Sequence, residues 1–190
     1  MNWLAHLLLS EQTPECWMGS LLPDFLRDPE LQMLPLEFRR GIRLHRAIDS
    51  FTDSHPVVLQ SRRRVPPPFR RYAGIVIDMF YDHLLATQWE RYSEVDFEEF
   101  TSAIYAGLQR QCANIPDHAR ERMEWMIRED LLGSYRKREG IRWALERIGC
   151  RLKRPVDLGG ATALLEEANA EFLRDFDLFF PQLHAHVRLL

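Results

Sequence analysis

The sequence predicts an all-α protein, because long segments repeat apolar residues with the period of a helix and none alternates like a strand. Apolar residues recur every three or four positions over 96–113, 116–137 and 139–149, which is typical of a helix that buries one face. No segment alternates convincingly between apolar and polar residues, as a half-buried strand would. A chain of 190 residues has room for one good core, so we expect a single helical domain over residues 1–190.

The N-terminal region carries two apolar segments. Residues 2–10 are expected to form a short helix with His6 beside its apolar side, and residues 15–27 are apolar with a single acid, Asp24. Pro23 begins or breaks a helical turn at that point. A lone carboxylate among apolar neighbours is costly to bury unless it is paired, caps a helix or binds a metal. Both the capping role and the site role stay open for Asp24.

The following segments continue the helical pattern. Helices are expected over 35–54, 57–63 and 69–92, the last of these after a run of three prolines. A final helix is expected to start near Gly159, and Phe179-Phe180-Pro181 is expected to interrupt it because proline disrupts a helix interior.

Composition and cysteine content limit the class of protein. A hydrophobic fraction of 46%, a charged fraction of 28% and a net charge of −3 are typical of a globular protein, and they predict no general attraction to nucleic acid or membrane. Cys16, Cys112 and Cys150 are odd in number and far apart, which favours a reducing cytoplasm over a disulfide framework. The apolar run 7–9 is too short for a membrane span and lacks the flanks of a signal peptide.

The most informative helix carries three polar side chains in register. His45, Asp49 and Asp53 are each four residues apart, so a helix places them on one face beside the core. The two acids repel each other at that spacing, and a bound cation would reverse the repulsion. The alternative is an ordinary helix end, with Asp53 or Ser54 capping the next helix and Pro56 in its first turn.

A second helix repeats this arrangement. Asp78 and Asp82 are again four residues apart, with His83 beside them. The surrounding positions are apolar, so we expect the Asp78 carboxylate to be buried. Two acidic pairs with histidines on apolar helices favour a shared divalent cation such as Mn²⁺ or Mg²⁺. Because no phosphate-binding glycine loop or covalent nucleophile motif is present, attack of metal-activated water on phosphorus is the reaction that these residues support best.

Four ordered motifs resemble acyl carrier protein phosphodiesterase, also called acyl carrier protein hydrolase. They are NWLAHL at 2–7, GSLLPDF at 19–25, GIRLHRAIDSFTD at 41–53 and DMFYDH at 78–83. The resemblance implies a divergent helical bundle of the HD-type phosphohydrolases. It also implies an enzyme that uses Mn²⁺ to remove 4′-phosphopantetheine from holo acyl carrier protein.

The resemblance further implies a set of site residues. Asp78 stands at the position of an HD motif, but Ile77 replaces its histidine, so His6 or His45 is expected to substitute. His55 is a further candidate, because His55-Pro56-Val57 is similar to the first histidine of the related guanosine-tetraphosphate hydrolases. The expected catalytic residues are His6, Asp24, His45 and His83, and the expected metal ligands are His45, Asp49, Asp53, Asp78 and Asp82.

A basic segment follows the first site helix and predicts a surface for an acidic partner. Its arginines flank the proline run, and we expect them to bind the carboxylates of the carrier protein. They are Arg62, Arg63, Arg64, Arg70 and Arg71. Two other functions stay open: an HD-type nucleotide phosphohydrolase, and a non-catalytic helical module that binds acidic proteins through this segment.

Overall fold

The computed structural model describes all 190 residues, and its regular structure is entirely helical, as predicted. Short 3₁₀ turns join several of the helices, and there is no strand. The buried apolar side chains form one continuous core cluster of 50 residues. The helices are α1 Trp3–Leu9, α2 Pro14–Leu21, α3 Asp28–Gln32, α4 Arg39–Ser54, α5 Pro56–Arg64, α6 Ala73–Thr87, α7 Phe97–Gln111, α8 Asp117–Arg128, α9 Leu131–Ser134, α10 Arg138–Cys150, α11 Ala163–Glu167 and α12 Asn169–Val187.

The break between α4 and α5 is only partly as predicted. Pro56 is the first residue of α5, where its missing N–H costs nothing. The alternative of a side-chain cap from Asp53 or Ser54 is not what the structure shows, because the N-cap residue is His55 and no side chain caps this helix. Ser54 instead donates its hydroxyl to the Ser50 carbonyl oxygen within α4. Asp53 is therefore free to serve another role.

The predicted interruption of the last helix is also wrong. Pro181 lies inside α12, which continues to Val187. Proline removes one backbone hydrogen bond from a helix, but burial of apolar side chains on both sides can offset that loss. Phe179, Phe180 and Leu183 are all buried here, so the core anchors the helix on either side of the proline.

Two glycines allow α2 and α4 to touch backbone to backbone. A Cβ atom on Gly19 would lie 2.2 Å from the Phe38 carbonyl oxygen, and one on Gly41 would lie 2.3 Å from the Cys16 carbonyl oxygen. Only glycine permits such an approach. The contact brings the C-terminal part of α2 against the side of α4 that carries His45.

The Gly41→Ala substitution is expected to destabilise the protein by about 1–3 kcal/mol, because the new methyl group overlaps backbone atoms that cannot move away alone. Thermal unfolding followed by circular dichroism measures the effect. Gly74→Ala is the matched control, since its Cβ would lie 3.7 Å from the nearest atom, in the flexible Arg62 side chain. Equal melting temperatures for the two variants would contradict the tight α2–α4 contact.

Candidate metal centre and acidic cleft

Three potential metal ligands lie close together, one on α1 and two on α4. His6 and His45 stack with ring centroids 4.3 Å apart and ring planes 18° from parallel. Asp49 faces both rings: its Oδ2 is 2.9 Å from His45 Nε2 and its Oδ1 is 3.2 Å from His6 Nε2. One ligand atom from each residue lies within 4.8 Å of the others, so this buried His/His/Asp group could hold a metal ion.

A hydrogen bond to the backbone fixes the tautomer of His45 in a form that suits a metal ligand. Its Nδ1 lies 2.7 Å from the Ser20 carbonyl oxygen, which can only accept, so Nδ1 carries a proton. In the neutral ring Nε2 then presents its lone pair towards the Asp49 carboxylate. Two acceptors that face each other require a proton or a cation between them, and a backbone carbonyl on the other ring nitrogen is the usual support of a metal-bound histidine.

The surroundings of His6 also suit a metal ligand. The side chain is only 1% exposed, and neither ring nitrogen makes a hydrogen bond, although Nε2 is close to Asp49. A buried polar atom without a partner is costly in a folded protein. A cation beside Asp49 would satisfy the His6 lone pair, so the donor set fits a divalent metal.

Burial and mutual contacts shift the pKa values of all three groups. Burial lowers the pKa of His6, so its ring stays neutral near pH 7. Burial also opposes the charged form of His45, but the hydrogen bond to Asp49 and the charge of Asp24 outweigh it and raise the pKa of His45. Burial raises the pKa of Asp49, yet the contact with His45 and the close approach of His6 prevail and hold that pKa well below its usual range. Without a cation, the cluster is therefore an imidazolium–carboxylate pair.

This competition predicts a pH dependence of metal binding. A cation must displace the proton on His45 Nε2, so the affinity for Mn²⁺ should fall about tenfold per pH unit below the raised His45 pKa and level off above it. Calorimetric titration of Mn²⁺ at a series of pH values measures the slope. His118→Gln, which changes a half-exposed histidine paired with Glu30, should not alter the profile. An affinity that does not change with pH would contradict the use of His45 Nε2.

Asp24 borders the cluster from the turn after α2. Its Oδ2 accepts a hydrogen bond of 2.7 Å from the Trp3 indole N–H, and its Oδ1 lies 3.9 Å from His45 Nε2. The carboxylate is 42% exposed. The cap alternative for Asp24 is not what the structure shows, since Arg27 is the N-cap residue of the next helix, α3.

An open cleft of about 400 Å³ begins at this cluster. Four carboxylates line it, from Asp24, Asp49, Asp53 and Asp78, so its electrostatic character is strongly acidic. Apolar side chains, including that of Trp3, form the remaining wall. The cleft thus joins the sequence-predicted acids of α4 to one of those predicted on α6.

Arg62 contacts two of the carboxylates that line this cleft. Its Nη2 donates to Asp53 Oδ1 at 2.6 Å and lies 3.8 Å from Asp78 Oδ1, and the side chain is 22% exposed. The Met1 amino group is 3.4 Å from the same Asp78 oxygen. The expected burial of Asp78 is wrong: its side chain is 30% exposed, because this side of α6 faces the cleft instead of the core.

The structure does not bring Asp82 or His83 to the His/His/Asp group. Asp82 is fully buried and accepts hydrogen bonds from the backbone N–H groups of Leu4 at 2.7 Å and Ala5 at 3.4 Å. Burial raises its pKa to about 7. His83 Nδ1 donates to the Tyr135 carbonyl oxygen at 2.7 Å, on another side of α6. Asp82 therefore holds the start of α1, the helix that carries His6.

His55 also lies apart from the cluster. Its ring packs against Phe51 and Phe179, with centroid distances of 5.2 and 5.0 Å. Its Nε2 is 3.4 Å from Gln182 Oε1. In this position His55 joins α4, α5 and α12.

The predicted basic segment divides into two groups. Arg62 turns to the cleft, and Arg64 Nε donates to the buried Asp175 at 3.1 Å. The other three side chains are exposed and take part in no ion pair; they are Arg63, Arg70 and Arg71.

Two contributors to the site were not predicted from the sequence. Ser20 acts through its backbone carbonyl, whose direction no side-chain pattern reveals. Trp3 had a detectable signal, since an indole N–H so close in sequence to His6 needs a polar partner when it is half-buried.

The fold and the site define a class: a helical protein with a His/His/Asp group, beside an acidic cleft, that could hold a metal ion. Residues 1–183 match the model of the family described as "Acyl carrier protein phosphodiesterase". The chain belongs to the acyl carrier protein phosphodiesterase family. This confirms the predicted family and, with it, the predicted class of phosphodiester hydrolase.

Curated relatives with this description match nearly the whole chain. The protein of Pectobacterium atrosepticum is 29% identical over 184 residues, covering 96% of this chain and 95% of its own. The protein of Escherichia coli O157:H7 (strain EC4115) is 28% identical over 186 residues, covering 97% and 96%, and that of Enterobacter sp. (strain 638) is 32% identical over 155 residues, covering 81% and 80%. No solved structure matches the chain, so the resemblance to HD-type phosphohydrolases stays a prediction. None of the helices is both long and apolar enough to cross a membrane.

Proposed function

We propose that this protein removes 4′-phosphopantetheine from holo acyl carrier protein by Mn²⁺-dependent hydrolysis of the phosphodiester, and that residues 1–190 form one hydrolase domain. The observation that carries the proposal is the buried His6 ring, whose nitrogens lack hydrogen bonds beside Asp49 at an acidic cleft. The family description and its near-complete coverage of the chain support the substrate. Three free cysteines support the cytoplasm as the location of the enzyme.

His6, His45 and Asp49 are the proposed protein ligands. Two imidazole nitrogens and a carboxylate suit Mn²⁺, with Mg²⁺ as the alternative, and the carboxylates of Asp53 and Asp78 lie in the same cleft for a second cation or for hydrated contacts. A divalent ion in this place supplies positive charge that polarises the phosphoryl oxygens and makes water more acidic. Asp82 and His83 are proposed to orient α1 and α9, since their polar atoms are already engaged there.

Asp24 is the proposed proton-transfer group. It borders the cluster, and its Oδ1 makes no hydrogen bond within 3.5 Å, whereas Trp3 fixes its Oδ2. A carboxylate held in this way can accept a proton from attacking water and return it to the departing serine oxygen. His6 and His45, two other predicted proton carriers, are proposed to be engaged as ligands.

Arg62 is proposed to bind the phosphodiester rather than the carrier protein. Its guanidinium group already contacts two carboxylates of the cleft, and its Nε is buried without a partner. Arginine offers paired N–H donors that match phosphate oxygens. Exchange of Asp53 for a phosphoryl group would keep that charge paired while the substrate is bound.

The exposed arginines Arg63, Arg70 and Arg71 are proposed to bind the acidic carrier protein. They lie on α5 and on the turn before α6, so they flank the side of the cleft that Arg62 borders. Complementary charge at such a place acts chiefly on encounter rate and specificity. Arg64 is excluded from this role because it pairs with buried Asp175.

Incubation of the protein with holo acyl carrier protein and Mn²⁺ tests the proposal. Intact-mass measurement should show conversion of the carrier to its apo form, and a chelator should stop the conversion. A parallel panel of nucleotides addresses the alternative of an HD-type nucleotide phosphohydrolase. Hydrolysis of nucleotides without conversion of holo carrier protein would replace the proposed substrate.

A further inference from the structure

A second cavity adjoins the acidic cleft behind Trp3. It has a volume of about 80 Å³ and lies between α1, α6 and the helices α8 to α10. Asn2, Trp3, Met79 and Ile148 line both this cavity and the cleft, so the two spaces share one wall. We call it the tryptophan pocket, because Trp3 and Trp125 both line it.

The tryptophan pocket contains a hydrogen-bond donor without an acceptor. The Arg147 guanidinium group lies over the rings of Trp125 and Trp143, at 4.4 and 5.1 Å from their centroids. These contacts hold the charged group in place by cation–π attraction. Its Nε–H is buried and makes no hydrogen bond. A fixed, buried donor of this kind favours a ligand with a carbonyl oxygen.

Tyr135 provides a second hydrogen-bond donor in the tryptophan pocket. The Tyr135 hydroxyl accepts a hydrogen bond of 2.9 Å from Asn2 Nδ2, and no acceptor takes its own proton. Asn2 also points the same amide nitrogen at the Met79 sulfur, at 2.9 Å. The pocket therefore combines apolar and aromatic walls with two N–H or O–H donors and contains no carboxylate.

We propose that the tryptophan pocket binds the pantetheine arm of the substrate, with an amide carbonyl oxygen accepting from Arg147. This inference rests on the proposed function, because it places the phosphorus in the adjoining cleft. The arm is an uncharged chain of amides and methyl-bearing carbons attached to the phosphate. Such a chain suits the tryptophan pocket, which has apolar walls and hydrogen-bond donors but no carboxylate. The acidic cleft instead suits the cation and the phosphate that the cation binds. A cavity of this volume takes a segment of the arm and not its whole length.

The pocket also assigns the two ester substituents of the phosphodiester to different places. If the arm leaves the cleft past Trp3, the carrier serine lies on the other side of the phosphorus, where Arg62 contacts the Asp53 and Asp78 carboxylates of the cleft. The carrier protein then remains outside, close to the exposed arginines of the basic segment. Both ester arms of the phosphodiester thus have separate places.

Two variants test the tryptophan pocket. Arg147→Gln removes the charged donor, and Ala144→Leu fills the cavity from a position that is 7% exposed. Each should raise the Ki of 4′-phosphopantetheine and the KM for holo carrier protein about tenfold or more, because Arg147→Gln removes one hydrogen bond to a charged group and Ala144→Leu occupies the space of the arm. Hydrolysis of bis(p-nitrophenyl) phosphate with Mn²⁺ should stay within about twofold, because the cluster is untouched.

Arg142→Gln is the matched control, since Arg142 lies on the same helix, pairs with Glu146 and is 63% exposed. It should change neither Ki nor KM. Unchanged Ki in Arg147→Gln would overturn the inference, and so would an equal loss on both substrates, which would make Arg147 a residue of the fold. Wild-type protein that fails to release 4′-phosphopantetheine from the carrier would instead reject the proposed function.

Discussion

Asp49→Asn is expected to lower the turnover of holo acyl carrier protein by on the order of 10²–10³-fold and to reduce bound Mn²⁺ in parallel, as loss of several kcal/mol of charge stabilisation implies. Asp49 is the one carboxylate that approaches both histidines of the cluster. The amide keeps the size of the side chain but removes its negative charge. Metal content by elemental analysis and turnover by intact mass are the two measurements.

Two further aspartate variants accompany this one, of which the first is the control. Asp117→Asn changes a carboxylate that is 82% exposed and pairs only with a neighbouring arginine, so metal content and turnover should stay at the wild-type level. Asp53→Asn decides between the predicted role of Asp53 as a ligand and its observed pairing with Arg62. Full metal occupancy in Asp49→Asn would remove the His/His/Asp group as the metal centre.

Reversal of two exposed arginines, in the double variant Arg63→Glu and Arg70→Glu, is expected to raise the KM for holo carrier protein about tenfold or more at low salt. Both side chains are exposed without an ion pair, so they are available to the carboxylates of a partner. Hydrolysis of bis(p-nitrophenyl) phosphate should be nearly unchanged, because the metal centre is not altered. The difference between variant and wild type should shrink as salt screens the charges.

The double variant Arg110→Glu and Arg188→Glu makes the same change of net charge at exposed positions outside the basic segment. Its KM should remain close to that of the wild type. If both double variants lose affinity equally, the effect comes from the total charge of the protein and not from a docking surface. If Arg63→Glu and Arg70→Glu impair both substrates equally, these arginines serve the fold or the phosphate.

Two pairs of polar side chains, each with a four-residue spacing on its helix, show how much helical periodicity alone can predict. His45 and Asp49 are four residues apart on one helix, and the structure joins them as the spacing predicts. Asp78 and Asp82 have the same spacing, but one faces the cleft and the other the backbone of α1. A helical repeat predicts which side chains share a face, but it does not predict which neighbouring helix contacts that face.

The sequence by itself determined the all-helical fold, the family and the four carboxylates of the acidic cleft, because helical periodicity and the four motifs are local properties of the chain. Only the tertiary structure decided that His6 joins His45 and Asp49, that Arg62 belongs to the cleft, and that Asp82 supports α1. These outcomes depend on contacts between distant segments, such as the hydrogen bond from the Leu4 backbone N–H to Asp82. The same physics explains why α12 continues through Pro181, since burial of Phe179, Phe180 and Leu183 outweighs a local rule.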